Sequence, residues 1–365
     1  MVNTTFQPNT AIHPGETLGE LLETTGMSQI DLAKRTGLTP KTINEIVKGK
    51  SSISPETALK LAAVFGTSTE FWNNLERQYQ ETVSRLELEK KLENEKSFLK
   101  NFSCYNKLKE LGFVEDTNDQ KLRVKNLLNF FGVSSLKYVR ETQAIAFRAV
   151  NKDNVDEEAL AAWLRAGEIK GMKVETEKFD KDKLVASIPK LRSLSRKSPE
   201  IYGKEIQNIL ASCGVAVVYM PYFEKTHVHG ATRWLSSDKA LIQLSLLYKW
   251  EDVFWFSLFH EIGHIVKHGK KDEFLEFKNG SQELGEKKEK EANEFAKHNL
   301  IPEEQLSKLK ELTPKSIEKF AKDVDVATSV VAGRVAHELS VRGNNQAWKV
   351  FSGLRPRLQL NTSGS

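Results

Sequence analysis

Apolar residues recur at helical spacing through residues 1–80. Leu18, Leu21 and Leu22 follow His13-Pro14-Gly15-Glu16 and predict a helix to about Thr24. Ser28 ahead of Gln29–Thr36, with Gly37 behind, frames a second helix. Thr39-Pro40 opens a third to about Lys48, stopped by Gly49. Ser54-Pro55-Glu56 repeats that start signal, and Ala58, Leu59, Leu61, Ala62 and Phe65 form the apolar stripe behind it. Ser68 caps a fifth helix carrying Phe71, Trp72 and Leu75. Five short helices joined by tight turns predict one small core.

The pattern then changes twice. From Thr82 to about Lys100 the text LELEKKLENEK is charged and helix-favouring, which predicts a solvated connector helix. Residues 101–210 continue as helices, with Ala159–Leu164 in a core helix. At Val215–Met220 a β-rich run begins, closed by Pro221, and Ala240–Ser245 is a second strand. A long apolar helix follows from about Trp250 to His268, another covers about Glu286–Asn299, and one or two more fill 313–342. From about Asn344 the chain reads as extended or loose. The fold class is mainly α with a small α+β domain. Its parts are a five-helix bundle over 1–80, a helical connector over 81–212, an α+β domain over 213–342 and a tail over 343–365.

Composition narrows the class. A chain of 365 residues predicts two or three domains, at roughly 100–200 residues each. The net charge is only +5, from 54 basic and 49 acidic residues, and does not by itself indicate nucleic acid. Ser28–Lys50 is more basic: five basic residues against Asp31 and Glu45 leave a local excess of three. No apolar run reaches the ~18 residues of a membrane helix. The start of the chain has no basic segment followed by an apolar one. Cys104 and Cys213 are isolated and make no disulfide framework, so a cytoplasmic location is expected.

Gln29–Ile46 carries the first chemistry. Ala33 is small where two helices would cross, and Gly37 suits a turn at positive φ. Leu32, Leu38, Ile43 and Ile46 are spaced to fill a core. The second helix of the pair then exposes Thr39, Lys41, Thr42, Asn44 and Glu45, a polar face suited to the DNA major groove. Asn44 can pair with adenine and Lys41 with guanine or phosphate. Gln29, at a helix N-terminus, and Lys34 are candidate phosphate contacts. The competing reading is a helical hairpin with a solvated face. HPGE, LAKRTG, the Lys48-Gly49-Lys50 triplet, ISPETALKLA and the Phe71-Trp72 segment together resemble the HigA-type antitoxins of the Xre repressor group. The resemblance covers His13 to Leu75. It implies double-stranded operator DNA as partner, a homodimer and repression of the chain's own operon, and leaves a toxin or a repressor as a further candidate partner. Antitoxins of that type are little longer than this one domain, so the rest of the chain is a departure.

The second constellation is His260-Glu261-Ile262-Gly263-His264. Two histidines four apart on one helix reach a single Zn²⁺ from one face. Glu261, at the edge of that face, can take a proton from water and pass it to a leaving amine. Gly263 allows close packing against a neighbour. A third protein ligand is needed, and Glu289, Glu291 and Glu294 compete for it. Glu289 is preferred, since Asn293 one turn later then shares its face and can hydrogen-bond a ligand histidine. Glu291 comes second. His268 drifts off the ligand face over two turns and is read as a packing or supporting neighbour. His227 and His229 fall in a loop; a plain loop role is preferred for them over oxyanion stabilisation by His229. Residues 240–245 are a candidate edge strand for holding a substrate.

FSLFHEIGHIVKH with EKEANEFAKHNLIP resembles the ImmA/IrrE family of zinc metallopeptidases, over about residues 213–303. The resemblance implies a gluzincin-like α+β fold, zinc held by His260, His264 and Glu289, and Glu261 as catalytic base. Members of that family cleave Xre-type repressors. The joint reading is a regulator that cleaves itself or a partner repressor or toxin, with any self-cleavage around residues 80–120. Phe98, Leu99, Phe102 and Tyr105 would supply apolar side chains for the cleft. The alternative is an antitoxin-like repressor whose zinc domain senses a ligand or binds a toxin without proteolysis.

Overall fold

A computed structural model describes residues 8–142, 155–245, 250–269, 274–277, 286–309 and 311–358. The chain divides into two compact units, Met1–Ser97 and Phe98–Ser365. Neither boundary expected near residues 80 and 212 coincides with this division.

The first unit comprises α1 (Pro14–Thr25), α2 (Gln29–Thr36), α3 (Pro40–Val47), α4 (Pro55–Phe65) and α5 (Thr69–Glu95). Each starts at a residue whose side chain accepts a hydrogen bond from a backbone N–H of the first turn: His13, Ser28, Thr39, Ser54 and Ser68. Gly37 ends α2 at φ 70°, as its turn requires. Leu18, Leu32, Ile43, Ile46, Leu61 and Trp72 are fully buried and form the core. The departure is α5, which runs for 27 residues and absorbs the charged connector. Nothing between Glu76 and Glu95 stops a helix, and the pairs Arg77–Glu81 and Arg85–Glu89, at 2.9 and 2.8 Å, favour continuation. Trp72 is its one fully buried residue among those described, so the distal half is solvated.

Much of the expected cleavage window is therefore helix. Phe102 and Tyr105 are 5% and 3% exposed in the core of the second unit and cannot serve as accessible substrate side chains.

In the second unit, α6 (Tyr105–Glu110) and α7 (Gln120–Phe131) precede α8 (Glu157–Lys173), α9 (Lys181–Ser193) and α10 (Pro199–Ala211). These helices do not form a separate connector. α8 and α10 pack on a four-stranded sheet of order β1-β3-β2-β4, made of β1 (Val215–Met220), β2 (Val228–Ser236), β3 (Lys239–Ser245) and β4 (Phe274–Phe277). β1 runs parallel to β3, and the other pairs are antiparallel. β3, the candidate substrate edge, is instead flanked by partners on both sides. Its backbone donors and acceptors are taken, so it cannot pair a substrate. The loop expected around His229 is part of strand β2.

Alternation along the strands sorts the two faces. Val215, Val217 and Tyr219, with Ala240, Ile242 and Leu244, join the core built on α11 (Glu251–Lys267). Gln243 turns the other way and donates to the Trp163 carbonyl of α8 at 2.7 Å. Against α11 lie α12 (Glu286–Leu300) and α14 (Thr328–Val341), the latter preceded by α13 (Pro314–Asp323). The expected loose tail is packed structure over its described part. Ala347, Phe351 and Leu358 are buried in the core, and the Arg355 guanidinium makes two 2.9 Å contacts with Asp252 on α11. Burial of these apolar residues holds it down. Residues 359–365 lie outside the described residues. No helix among those described is long and apolar enough to cross a membrane.

Candidate metal centre

The α11 sequence is apolar on most sides, so most of the helix is buried and its buried polar residues need partners. His260 and His264 are each 1% exposed and Glu261 is fully buried. The i, i+4 spacing puts the two rings together, with His260 Nε2 and His264 Nε2 2.9 Å apart. Helix α12 can approach because position 263 is glycine: a Cβ there would lie 3.2 Å from the Ala292 backbone. That approach brings Glu289 to 3.3 Å from both histidines, one carboxylate oxygen to each Nε2.

One ligand atom from each of His260, His264 and Glu289 lies within 4.8 Å of the others. Ligands 2.0–2.1 Å from a tetrahedral ion sit about 3.3 Å from one another, which this set matches. The chemistry fits a cation as well. Burial pushes the His264 imidazole down to about 4, outweighing the carboxylate of Glu289, and keeps the ring neutral. For Glu289, burial pushes upward, but hydrogen bonds with His260 and His264 prevail and hold the carboxyl down to about 2. A neutral imidazole and an ionised carboxylate are donors that a divalent ion takes.

The flanking residues orient this set. Asn293 Oδ1 is 3.0 Å from His260 Nδ1, fixing that ring from behind. His268 stands apart from the ligand set, with Nε2 3.1 Å from the Lys288 carbonyl and Nδ1 3.7 Å from Glu291. Glu291 is thereby engaged elsewhere, and Glu294 pairs with Lys297 at 2.9 Å. Glu261 leaves the helix on the sheet side. Thr232 Oγ1 of β2 donates to its Oε2, and Gly230 of the same strand faces its Oε1, where a Cβ would lie only 2.4 Å away. The sequence reading missed both residues. Their only signal is a spacing of two, which matters once 228–236 is known to be a strand beside α11.

The DNA-contact candidates all lie in the first unit. Lys41 on α3 has an 84% exposed side chain, Lys34 on α2 is exposed, and Gln29 and Asn44 are half-buried. Thr39 and Thr42 bond each other at 2.8 Å, and Thr39 caps α3, so these two hydroxyls also serve the helix start.

Comparisons with known proteins match both units. Residues 18–72 fit the helix-turn-helix family model, and residues 216–336 fit the IrrE N-terminal-like domain model of peptidase family M78. The latter is a metallopeptidase-like domain. The chain is 43% identical over 70 residues to Virulence-associated protein I of Dichelobacter nodosus, covering 19% of this chain and 65% of that protein, just under two thirds of its length. It is 32% identical over 66 residues to the HTH-type transcriptional regulator YddM of Escherichia coli K12, covering 18% of this chain and 70% of that protein. Among solved structures, a HigA-family addiction module antidote protein from Coxiella burnetii is 40% identical, covering 23% of this chain and 92% of its own, with a TM-score of 0.22. The Pseudomonas aeruginosa antitoxin HigA with the higBA promoter is 34% identical, covering 23% and 94%, also with a TM-score of 0.22.

Proposed function

Because the chain belongs to the helix-turn-helix family of transcriptional regulators and carries an IrrE N-terminal-like domain, we propose that it is an operator-binding regulator with its own zinc-dependent endopeptidase. The observation that carries the peptidase half is the convergence of His260, His264 and Glu289 beside the buried Glu261. A site that only held a metal for structure would have no use for that carboxylate, or for the threonine and glycine that position it.

His260, His264 and Glu289 would hold the zinc. When bound, the ion supplies a Lewis acid for water and for the scissile carbonyl. Glu261 takes a proton as water adds to the carbonyl carbon, then gives it to the amine nitrogen as the C–N bond breaks. Thr232 holds the Glu261 carboxylate in place through its hydroxyl. Asn293 fixes the His260 ring. The DNA-binding half acts as a homodimer on a two-fold operator, with half-sites ~34 Å apart. The peptide cut lies in the chain itself or in a partner repressor or toxin.

Intact-mass analysis of zinc-loaded wild type and Glu261→Gln tests the peptidase half. Wild type should cut itself, or an added partner repressor, while Glu261→Gln keeps the metal and cuts neither. Equal cleavage by both proteins would remove Glu261 from the reaction.

A further inference from the structure

The start of α11 lacks the device that opens the helices of the first unit. Trp250 stands at its cap position, and an indole cannot accept from a first-turn N–H. The acceptor comes from the far end of the chain: the Glu251 N–H donates to the Pro356 carbonyl at 3.2 Å. Trp250 itself pairs with Arg357 in an isolated antiparallel bridge. These partners lie beyond residues 216–336, which fit the IrrE N-terminal-like model.

Arg355 makes the deepest of these contacts. Its Nε and Nη2 both reach Asp252 Oδ2 at 2.9 Å, and the two residues are 8% and 7% exposed. The guanidinium also lies over the Trp348 ring, 4.5 Å from its centroid, and over the Trp250 ring at 5.0 Å. Backbone, charge and ring contacts thus meet on the first residues of the helix that carries two metal ligands. We propose that Arg355 is a positioning residue of the metal centre: through Asp252 and Trp250, the C-terminal segment fixes the start of α11 and so sets where His260 stands. This deepens the metal-centre reading above and rests on it.

The route from Asp252 to His260 is short. Asp252, Phe256 and His260 follow at steps of four, each turning by only about 40°, so they line one side of α11. The Phe256 and His260 rings lie 6.2 Å apart. Asp252 has little room to yield, because α14 packs on it at Gly333, where a Cβ would lie 2.4 Å from Asp252 Oδ2. Burial pushes the Asp252 carboxyl above its ordinary range, and Arg355 is the foremost influence opposing it. Without Arg355 a buried carboxylate loses its counter-charge and must take up a proton or draw in water, and either change unseats the first turn of α11. A close-packed helix passes that displacement to the ligand two turns on. Trp348 also walls a cavity of about 370 Å³ that Phe256 and Asn293 line, so the same segment borders both residues that flank His260.

The test compares the full chain as wild type, Arg355→Met, Arg355→Lys and Phe320→Ala. The last removes a buried side chain from α13 and controls for lost stability alone. Zinc affinity is read by competition with a chelator at a temperature where circular dichroism shows every protein folded. Arg355→Met should bind zinc about tenfold more weakly, the lower end of what loss of support behind a ligand costs. Arg355→Lys keeps a cation beside Asp252 and should recover most of that loss. Phe320→Ala should bind as wild type does, even where it melts as low as Arg355→Met. The second reading needs no metal: NMR of isotope-labelled histidine in the metal-free proteins. The His260 imidazole signal should move in Arg355→Met, return toward wild type in Arg355→Lys and stay in place in Phe320→Ala. Where Arg355→Met does not fold, Asp252→Asn, which keeps the shape and removes the charge, takes its place with the same outcome expected. Unchanged zinc affinity in Arg355→Met, an equal loss in Phe320→Ala, or an unmoved His260 signal overturns the positioning role and leaves the metal centre standing. A His260 signal that follows Arg355, in a wild type that takes up no zinc, supports that role and sinks the metal reading instead.

Discussion

Helix α3 turns its candidate residues outward, with the Lys41 side chain 84% exposed. Helix α11 turns its candidates inward: His260 and His264 are 1% exposed and Glu261 is fully buried. Both were found from spacing on a single helix, yet the two signals carry different weight. An exposed polar face costs the fold nothing, so many helices carry one without any function. Two histidines and a glutamate inside an apolar helix are costly unless something engages them. Burial therefore makes the second site the more demanding one, and its dependence on neighbouring elements is correspondingly greater.

The sharpest break in that comparison comes from the ligands. Wild-type protein should bind about one zinc per chain, and His264→Ala or Glu289→Ala should lose most of it, as measured by metal analysis of the dialysed protein. Glu291→Ala should keep it, since that carboxylate lies near His268 rather than the ligand pair. Metal retained by Glu289→Ala but lost from Glu291→Ala would show that the third ligand is misassigned. No change on α3 should affect metal content.

A smaller effect is expected where the buried site depends on the sheet. Gly230→Ala would place a methyl 2.4 Å from Glu261 Oε1 and must displace either the carboxylate or strand β2. Hydrolysis should fall on the order of 10²-fold, the scale of a misplaced catalytic group, with zinc content unchanged. Full activity in this variant would mean that the base is not held as described. The pH dependence should also separate the two regions. His264 is pushed down to about 4 and Glu289 to about 2. Groups with depressed pKa values stabilise the fold above their unfolded pKa and lose that contribution as pH falls through the folded value. Metal-free protein should thus lose stability from about pH 6.5 downward, first through His264 and then Glu289, as read by thermal melts between pH 7 and 3. Melts of the separate His264→Ala protein should lose the upper part of that window.

How far the sequence could be read follows the same division. The caps Ser28, Thr39, Ser54 and Ser68 and the ligands His260 and His264 act within a few residues of themselves, and their patterns were legible. Thr232 and Gly230 act across space, from a strand that its text did not announce, because its apolar residues Val228, Ala231, Trp234 and Leu235 do not alternate and a histidine, a glycine and an arginine stand among them. β3 shows the same limit, since an apolar run looks alike at an edge and in the middle of a sheet. The C-terminal segment carries a pattern of its own: Trp348, Phe351, Leu354 and Leu358 recur every three or four residues and pack on the core. The end of α5 lacked any signal, because charged residues that would suit a connector suit a continuing helix equally well.

The smallest effects belong to α3 and α2, where they come from loss of contacts to DNA and leave the fold alone. Lys41 pairs only loosely with Glu45, at 3.9 Å, so removing it should cost the unit almost no stability. If Lys41 reads a base, Lys41→Ala should weaken binding to the cognate operator by roughly 1–3 kcal/mol and leave random DNA almost unaffected. Lys34 on α2 is assigned to phosphate, which every sequence presents alike. Lys34→Ala should therefore weaken cognate and random DNA together and lower the slope of log K against log salt by about 1. Gel-shift titrations at several salt concentrations distinguish the two. A uniform loss for Lys41→Ala would reassign it to the backbone and leave Asn44 as the base-reading candidate on α3. Unchanged binding for both variants would mean that this exposed face is only solvated surface. The metal centre would be untouched by that outcome, since its case rests on buried groups that must have partners.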